Sequence, residues 1–181
     1  MAFARPKKVF TEEELYEYAV GALARRMRTV AEIKRLLRNK VEADTEIGKT
    51  LVELVTVRLK DQGYLNDSKY AAAYSSFRRD NEKFGRQRVI TDLKSKGVHG
   101  DVIEKAVSSV YDEVNEEKLA RDYLRRKRLQ KPGDQKQAAR IFRQLVRAGF
   151  RSKTIFTILK KWDVDDETLT TLESESADLG G

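Results

Sequence analysis

The chain has 181 residues, with 37 lysines and arginines against 29 aspartates and glutamates, and no cysteine. Disulfides and thiolate metal sites are therefore excluded, and a formal charge of +8 points toward anionic partners. No run approaches the ~20 apolar residues of a membrane-spanning helix, and the opening MAFARPKKVF lacks the apolar stretch of a secretory signal, so a soluble cytoplasmic protein is expected.

Residues 1–10 are basic and unpatterned and read as a flexible arm. Thr11 with Glu14, and Thr29 with Glu32, have the spacing of capping boxes, in which threonine and glutamate satisfy each other's backbone amides at a helix start. They predict one helix from Leu15 to about Arg28 and a second carrying Ile33, Leu36 and Leu37. A third, from Ile47 to Lys60, carries Leu51, Leu54, Val55 and Leu59 and stops at Gly63. Asn66 or Asp67 caps the next, with Tyr70, Ala71, Tyr74 and Phe77 at helical spacing. After Phe84 and Gly85 come a helix with Val89, Ile90 and Leu93, a stop at Gly97, and a helix with Ile103, Ala106, Val107 and Val110. With no proline or glycine between Tyr111 and the EEKLARDYL segment, that helix is expected to run on across the junction. Pro132 and Gly133 then break the chain, the next helix carries Ile141 and Leu145, and Gly149 precedes a last one with Ile155, Phe156 and Leu159.

These intervals recur. Val89, Leu93, Gly97, Ile103 and Val107 have the same spacing as Ile141, Leu145, Gly149, Ile155 and Leu159, 52 residues on, and as Ile33, Leu37, Val41, Ile47 and Leu51, 56 residues before. A leading helix recurs too, with Arg26, Arg78 and Lys127 in register. An amphipathic helix cannot bury its apolar stripe alone, and a period in this range marks tandem modules. The expected fold is all-α: three three-helix repeats, 11–66, 67–114 and 115–162, in an elongated, curved protein, followed by an acidic, disordered tail over 163–181.

Charge is unevenly spread. Residues 1–66, the arm and first repeat together, carry 13 basic and 10 acidic residues, and the second repeat 9 and 8; the third carries 15 and 4, and the tail none and 7. In the third repeat Arg140, Arg143 and Arg147 recur at helical steps opposite Ile141 and Leu145, behind Arg125 and Arg126 on the preceding helix. Such a stripe is a polyanion or acidic-partner surface, to which the tail could fold back as a mimic. Solvated helix faces explain the balanced first two repeats equally well.

No catalytic constellation emerges. ADTEIGKT at 43–50 has the outline of a phosphate loop, but it follows a helix rather than a strand, lacks the first glycine, and puts carboxylates where amides should meet phosphate. His99 is the only histidine and lies in a glycine turn, so neither a metal site nor a general base is expected. The tyrosines at 70, 74 and 123 read as packing groups first and base-stacking groups second.

Taken together, GYLNDSKYAAAYSSFRR, FGRQRVITDLKSKGV, IEKAV and LVRAGF, in that order, resemble the RecX family of bacterial regulatory proteins, from about Thr11 to Trp162. The resemblance implies a non-enzymatic protein without cofactor. It implies binding along the RecA recombinase filament on single-stranded DNA, with reduced strand exchange, ATP hydrolysis and coprotease activity. The family pattern corresponds here to Gly85, Arg86 and Arg88, and to the stops Gly97 and Gly149; Val41 departs from it in the first repeat. The expected partners are the filament and single-stranded DNA, with weak double-stranded DNA binding, no membrane, and a monomeric state. The expected contact set is Arg78, Arg86, Arg88, Arg125, Arg126, Arg140, Arg143 and Arg147. The alternative is a stand-alone helical nucleic-acid-binding protein.

Overall fold

A computed structural model describes residues 10–42 and 45–178. Among these residues the secondary structure is helical throughout, with no strand. The helices are α1 (Glu12–Arg25), α2 (Val30–Arg38), α3 (Glu46–Asp61), α4 (Asp67–Phe77), α5 (Arg86–Ser95), α6 (Gly100–Tyr111), α7 (Glu116–Arg126), α8 (Gln135–Arg147), α9 (Ser152–Lys160) and α10 (Asp166–Asp178). The first nine follow the order of three successive triplets that the spacing predicts. Residues 1–9 of the basic arm and Ala43–Asp44 of the loop-like segment lie outside the described residues.

The chain divides into two compact units. One comprises residues up to Tyr70 together with Ser95–His99, and the other comprises Ala71–Lys94 and everything from Gly100. In the first unit both capping boxes form as expected, Thr11 with Glu14 and Thr29 with Glu32. They set α1 and α2 so that Leu15, Ala19, Ile33 and Leu37 meet Val52, Val55 and Leu59 of α3 in a sealed core. Leu54, expected inward, is 49% exposed. Thr45 caps α3 through the Gly48 amide, and a Cβ on Gly48 would lie 2.2 Å from the Glu42 carbonyl oxygen. Glycine is thus needed there for backbone packing, and Lys49 pairs with Glu46 on the surface. Val41 needs no left-handed backbone, since the residues with positive φ are elsewhere.

The α5–α6 turn completes this unit. Thr29 Oγ1 donates to the Lys96 carbonyl at 2.7 Å, Lys96 Nζ lies 3.3 Å from Glu32, and Gly97 (φ 76°) approaches Ala31 so closely that a Cβ would sit 2.5 Å from the alanine methyl. The second unit contains the equivalent junction. Gly85, at the position of Thr29, donates its amide to the Ala148 carbonyl, at the position of Lys96, at 2.8 Å. The repeat offsets read from the sequence therefore map a hydroxyl-to-carbonyl contact in the first unit onto an amide-to-carbonyl contact in the second.

Two expectations fail in the second unit. Helices α6 and α7 are not continuous: Asn115 adopts an extended conformation (φ −71°, ψ 104°) and its side chain caps α7 through the Lys118 amide. A good cap residue in a helix interior competes with the helix, so no proline or glycine is needed to break it. Within the described part of the acidic tail, 166–178 form α10 rather than a solvated, disordered segment. Asp165 accepts from both the amide and the hydroxyl of Thr168, and Leu169 and Leu172, three residues apart, are buried where α10 packs on α8 and α9. Two leucines on one face suffice to seat a helix that composition alone would leave solvated.

Candidate nucleic-acid interface

The α4 helix does not end cleanly. Arg78–Glu82 continue it as a π-helical turn that closes with Lys83 in the left-handed conformation (φ 58°). Such turns recur at functional sites. This one delivers Phe84 against Tyr123 of α7 (centroids 6.1 Å apart), which in turn packs edge-on against Phe150 at 5.8 Å. Phe84 and Tyr123 floor an open groove of about 390 Å³ walled by Arg88 of α5, Lys127 after α7, and Arg140, Gln144 and Arg147 of α8.

The cations here are differently held. Arg78 and Arg88 lie over the Phe84 ring, at 5.3 and 5.6 Å from its centroid. Both reach Asp92, Arg88 at 3.0 Å and Arg78 at 3.5 Å, so one carboxylate orients two guanidinium groups. The Tyr74 hydroxyl joins them, accepting from Arg78 Nε at 2.9 Å and donating to Asp92 at 3.0 Å. Burial raises the Tyr74 pKa, with Arg78 opposing, so the phenol stays protonated and able to donate. Lys127 Nζ stands 5.9 Å from the Tyr123 ring. Arg140 and Arg147 are exposed, and among the described residues no carboxylate pairs with either. Cations held over rings but left open to solvent suit phosphates and the faces of unstacked bases.

The structure thus brings Arg88, Arg140 and Arg147 of the expected set into one groove and places Arg78 behind its aromatic floor. It separates the others. Arg86 pairs with Asp112 at 2.6 Å and donates to Ser108 at 2.9 Å, beside a different, mixed-charge hollow lined by Tyr111, Glu116 and Arg151. Arg126 pairs with Glu82 at 3.0 Å, and Arg125, 80% exposed, with Asp122 at 3.2 Å. Arg143 is exposed on α8 but does not line the groove. Lys127, Phe84 and Gln144 were absent from that set, although Lys127 shares the repeat register of Arg26 and Arg78. No cluster of His, Cys, Asp and Glu able to hold a metal occurs among the described residues, and no described helix is long and apolar enough to cross a membrane.

The profile of the second three-helix domain of RecX matches residues 66–107, the stretch that contains the π-turn and Gly85. Regulatory protein RecX of Amycolatopsis mediterranei is 31% identical over 163 residues, covering 86% of this chain and 89% of that protein. Its counterpart in Leptothrix cholodnii is 32% identical over 145 residues, covering 80% and 87%. The Bacillus pumilus protein is 31% identical over 147 residues, covering 81% of this chain, which spans only 54% of its length. A crystal structure of a regulatory protein RecX superposes with a TM-score of 0.62 at 25% identity, covering 83% of this chain and 71% of that one. The RecX structure from Lactobacillus salivarius, at 22% identity and TM-score 0.63 over 84% and 96%, shares the fold. Relatedness over nearly the full length of two such proteins, on a matching all-helical fold, makes this chain a member of the RecX family.

Proposed function

We propose that the protein regulates the RecA recombinase without chemistry of its own, binding the filament on single-stranded DNA and lowering strand exchange, ATP hydrolysis and coprotease activity. The observation that carries this reading, beside membership of the family, is the groove in which Arg88, Lys127, Arg140 and Arg147 surround an aromatic floor, the last three paired with no carboxylate among the described residues. Phosphate contacts by such cations release counterions, so binding weakens steeply with salt. The test adds the protein to recombinase assembled on single-stranded DNA and follows ATP hydrolysis and strand exchange. Both fall at stoichiometric protein if the reading holds, and unchanged rates reject it.

The stand-alone nucleic-acid-binding reading draws on the same groove and makes a different prediction: tight, sequence-dependent DNA binding with no recombinase present. Weak, sequence-blind binding under those conditions favours the filament.

A further inference from the structure

The first unit carries a surface of another kind. Val20 and Leu23 of α1, and Met27 in the link to α2, face Tyr64, after the glycine stop of α3, across a mainly apolar cleft of about 290 Å³. Met27 is 57% exposed and Tyr64 53%, and both line this one cleft, where contiguous exposed apolar surface marks an interaction site. The charged residues of the wall, Arg28 and Lys69, are both cationic, and the exposed Arg25 and Arg26 stand at the C-terminal end of α1 just before Arg28. Among the described residues no carboxylate pairs with any of the four. Arg28 Nε donates to the Ala22 carbonyl at 3.4 Å, which draws its guanidinium along the cleft edge.

An apolar trough with an unneutralised basic rim selects its occupant by sign. The chain's own first residues, with Arg5, Lys7 and Lys8, carry the same charge as the rim, and its acidic helix α10 is seated on α8 and α9. We propose that this cleft docks an acidic amphipathic segment of the recombinase protein: a helix or extended piece that inserts apolar side chains between Met27 and Tyr64 and sets carboxylates against Arg28 and Lys69. The inference rests on the functional reading above and divides its labour. The first unit grips the protein, and the basic groove of the second meets the nucleic acid.

The test uses the full chain and the double variant M27D/Y64D, whose substitutions fall on side chains more than half exposed, with circular dichroism to verify the fold. In the first arm a labelled helical peptide carries leucines at i, i+3, i+4 and i+7 with glutamates between; a second has lysines in place of the glutamates. The acidic peptide should bind the wild type at least about tenfold more tightly than it binds the variant, and about tenfold more tightly than the basic peptide binds the wild type. Equal binding to wild type and variant, or of both peptides, overturns the proposal. In the second arm M27D/Y64D should lose its effect on recombinase ATP hydrolysis while its affinity for a single-stranded oligonucleotide is unchanged. Lost oligonucleotide affinity would make the cleft a nucleic-acid surface and overturn the proposal. A wild-type chain that binds the acidic peptide but leaves the recombinase untouched removes the recombinase as partner and, separately, rejects the functional reading.

Discussion

Gly149 and Arg88 meet backbone to backbone: a Cβ on the glycine would lie 2.2 Å from the arginine amide nitrogen and 2.6 Å from its Cβ. The contact holds the α8–α9 turn against the first turn of α5, and so fixes where the Arg88 side chain enters the groove. Gly149 also has φ 90°, where any L side chain is strained.

Gly149→Ala should therefore cost roughly 2–4 kcal/mol, combining left-handed strain with a clash against backbone that cannot move aside. Gly63 separates the two effects, because it has φ 76° but nothing within 4 Å of its added Cβ. Gly63→Ala should cost only about 1 kcal/mol. Denaturant melts of both variants measure the difference, and equal losses would mean the Gly149 contact relaxes freely.

Arg140→Ala with Arg147→Ala should lower the dependence of single-stranded DNA affinity on salt, by about 0.7 in log–log slope for each phosphate contact removed. Both side chains are exposed, so helical content should not change. Arg86→Ala is the contrast. It frees Asp112 and Ser108 and costs about 1 kcal/mol of stability, while leaving the salt slope as it was. Anisotropy titrations over a range of salt distinguish these outcomes.

Ser75 is fully buried in α4, and its hydroxyl has no hydrogen-bond partner among the described residues. A desolvated, unsatisfied hydroxyl opposes folding. Ser75→Ala removes it at almost constant volume and should stabilise the protein by about 1 kcal/mol. A lower midpoint in thermal or denaturant unfolding would show that the hydroxyl is in fact satisfied.

The Tyr111 hydroxyl donates to the Phe84 carbonyl at 2.9 Å, directly beneath the groove floor. Burial raises its pKa, with the nearby Arg79 opposing and Asp80 adding to the rise. A tyrosine whose folded pKa is raised keeps its proton after the unfolded chain has lost it, so its contribution is complete below about pH 10 and is lost as pH rises beyond. Tyr111→Phe should cost about 1 kcal/mol at neutral pH. Its alkaline loss of stability should be shallower than the wild type's, by up to about 1.4 kcal/mol per pH unit. Parallel alkaline limbs would show that Tyr111 titrates normally.

Much of this was legible in the chain. The capping boxes at Thr11 and Thr29 and the left-handed turns at Gly63, Gly97 and Gly149 are local, so spacing alone announces them, though not the distant contacts that Thr29, Gly97 and Gly149 also make. The junction at Asn115 and the helix at 166–178 were missed because a single cap and a pair of leucines are weak signals against composition. The arginines show the limit most clearly. Arg86 and Arg88 are two residues apart and look alike in sequence, yet Arg86 is drawn to Asp112 beside a separate hollow while Arg88, held by Asp92 of its own helix, walls the groove.

The sequence by itself determined the helices, the recurring spacing of their apolar positions and the excess of positive charge over 115–162, since periodicity, capping and net charge are sums over neighbours along the chain. Only the tertiary structure decided which cations are spent on carboxylates and which remain for a partner. That outcome depends on acids brought in from distant helices, as Glu82 is brought to Arg126 and Asp112 to Arg86. It also decided that Phe84, Tyr123 and Phe150 form one row, because ring packing is a matter of where three separate segments cross.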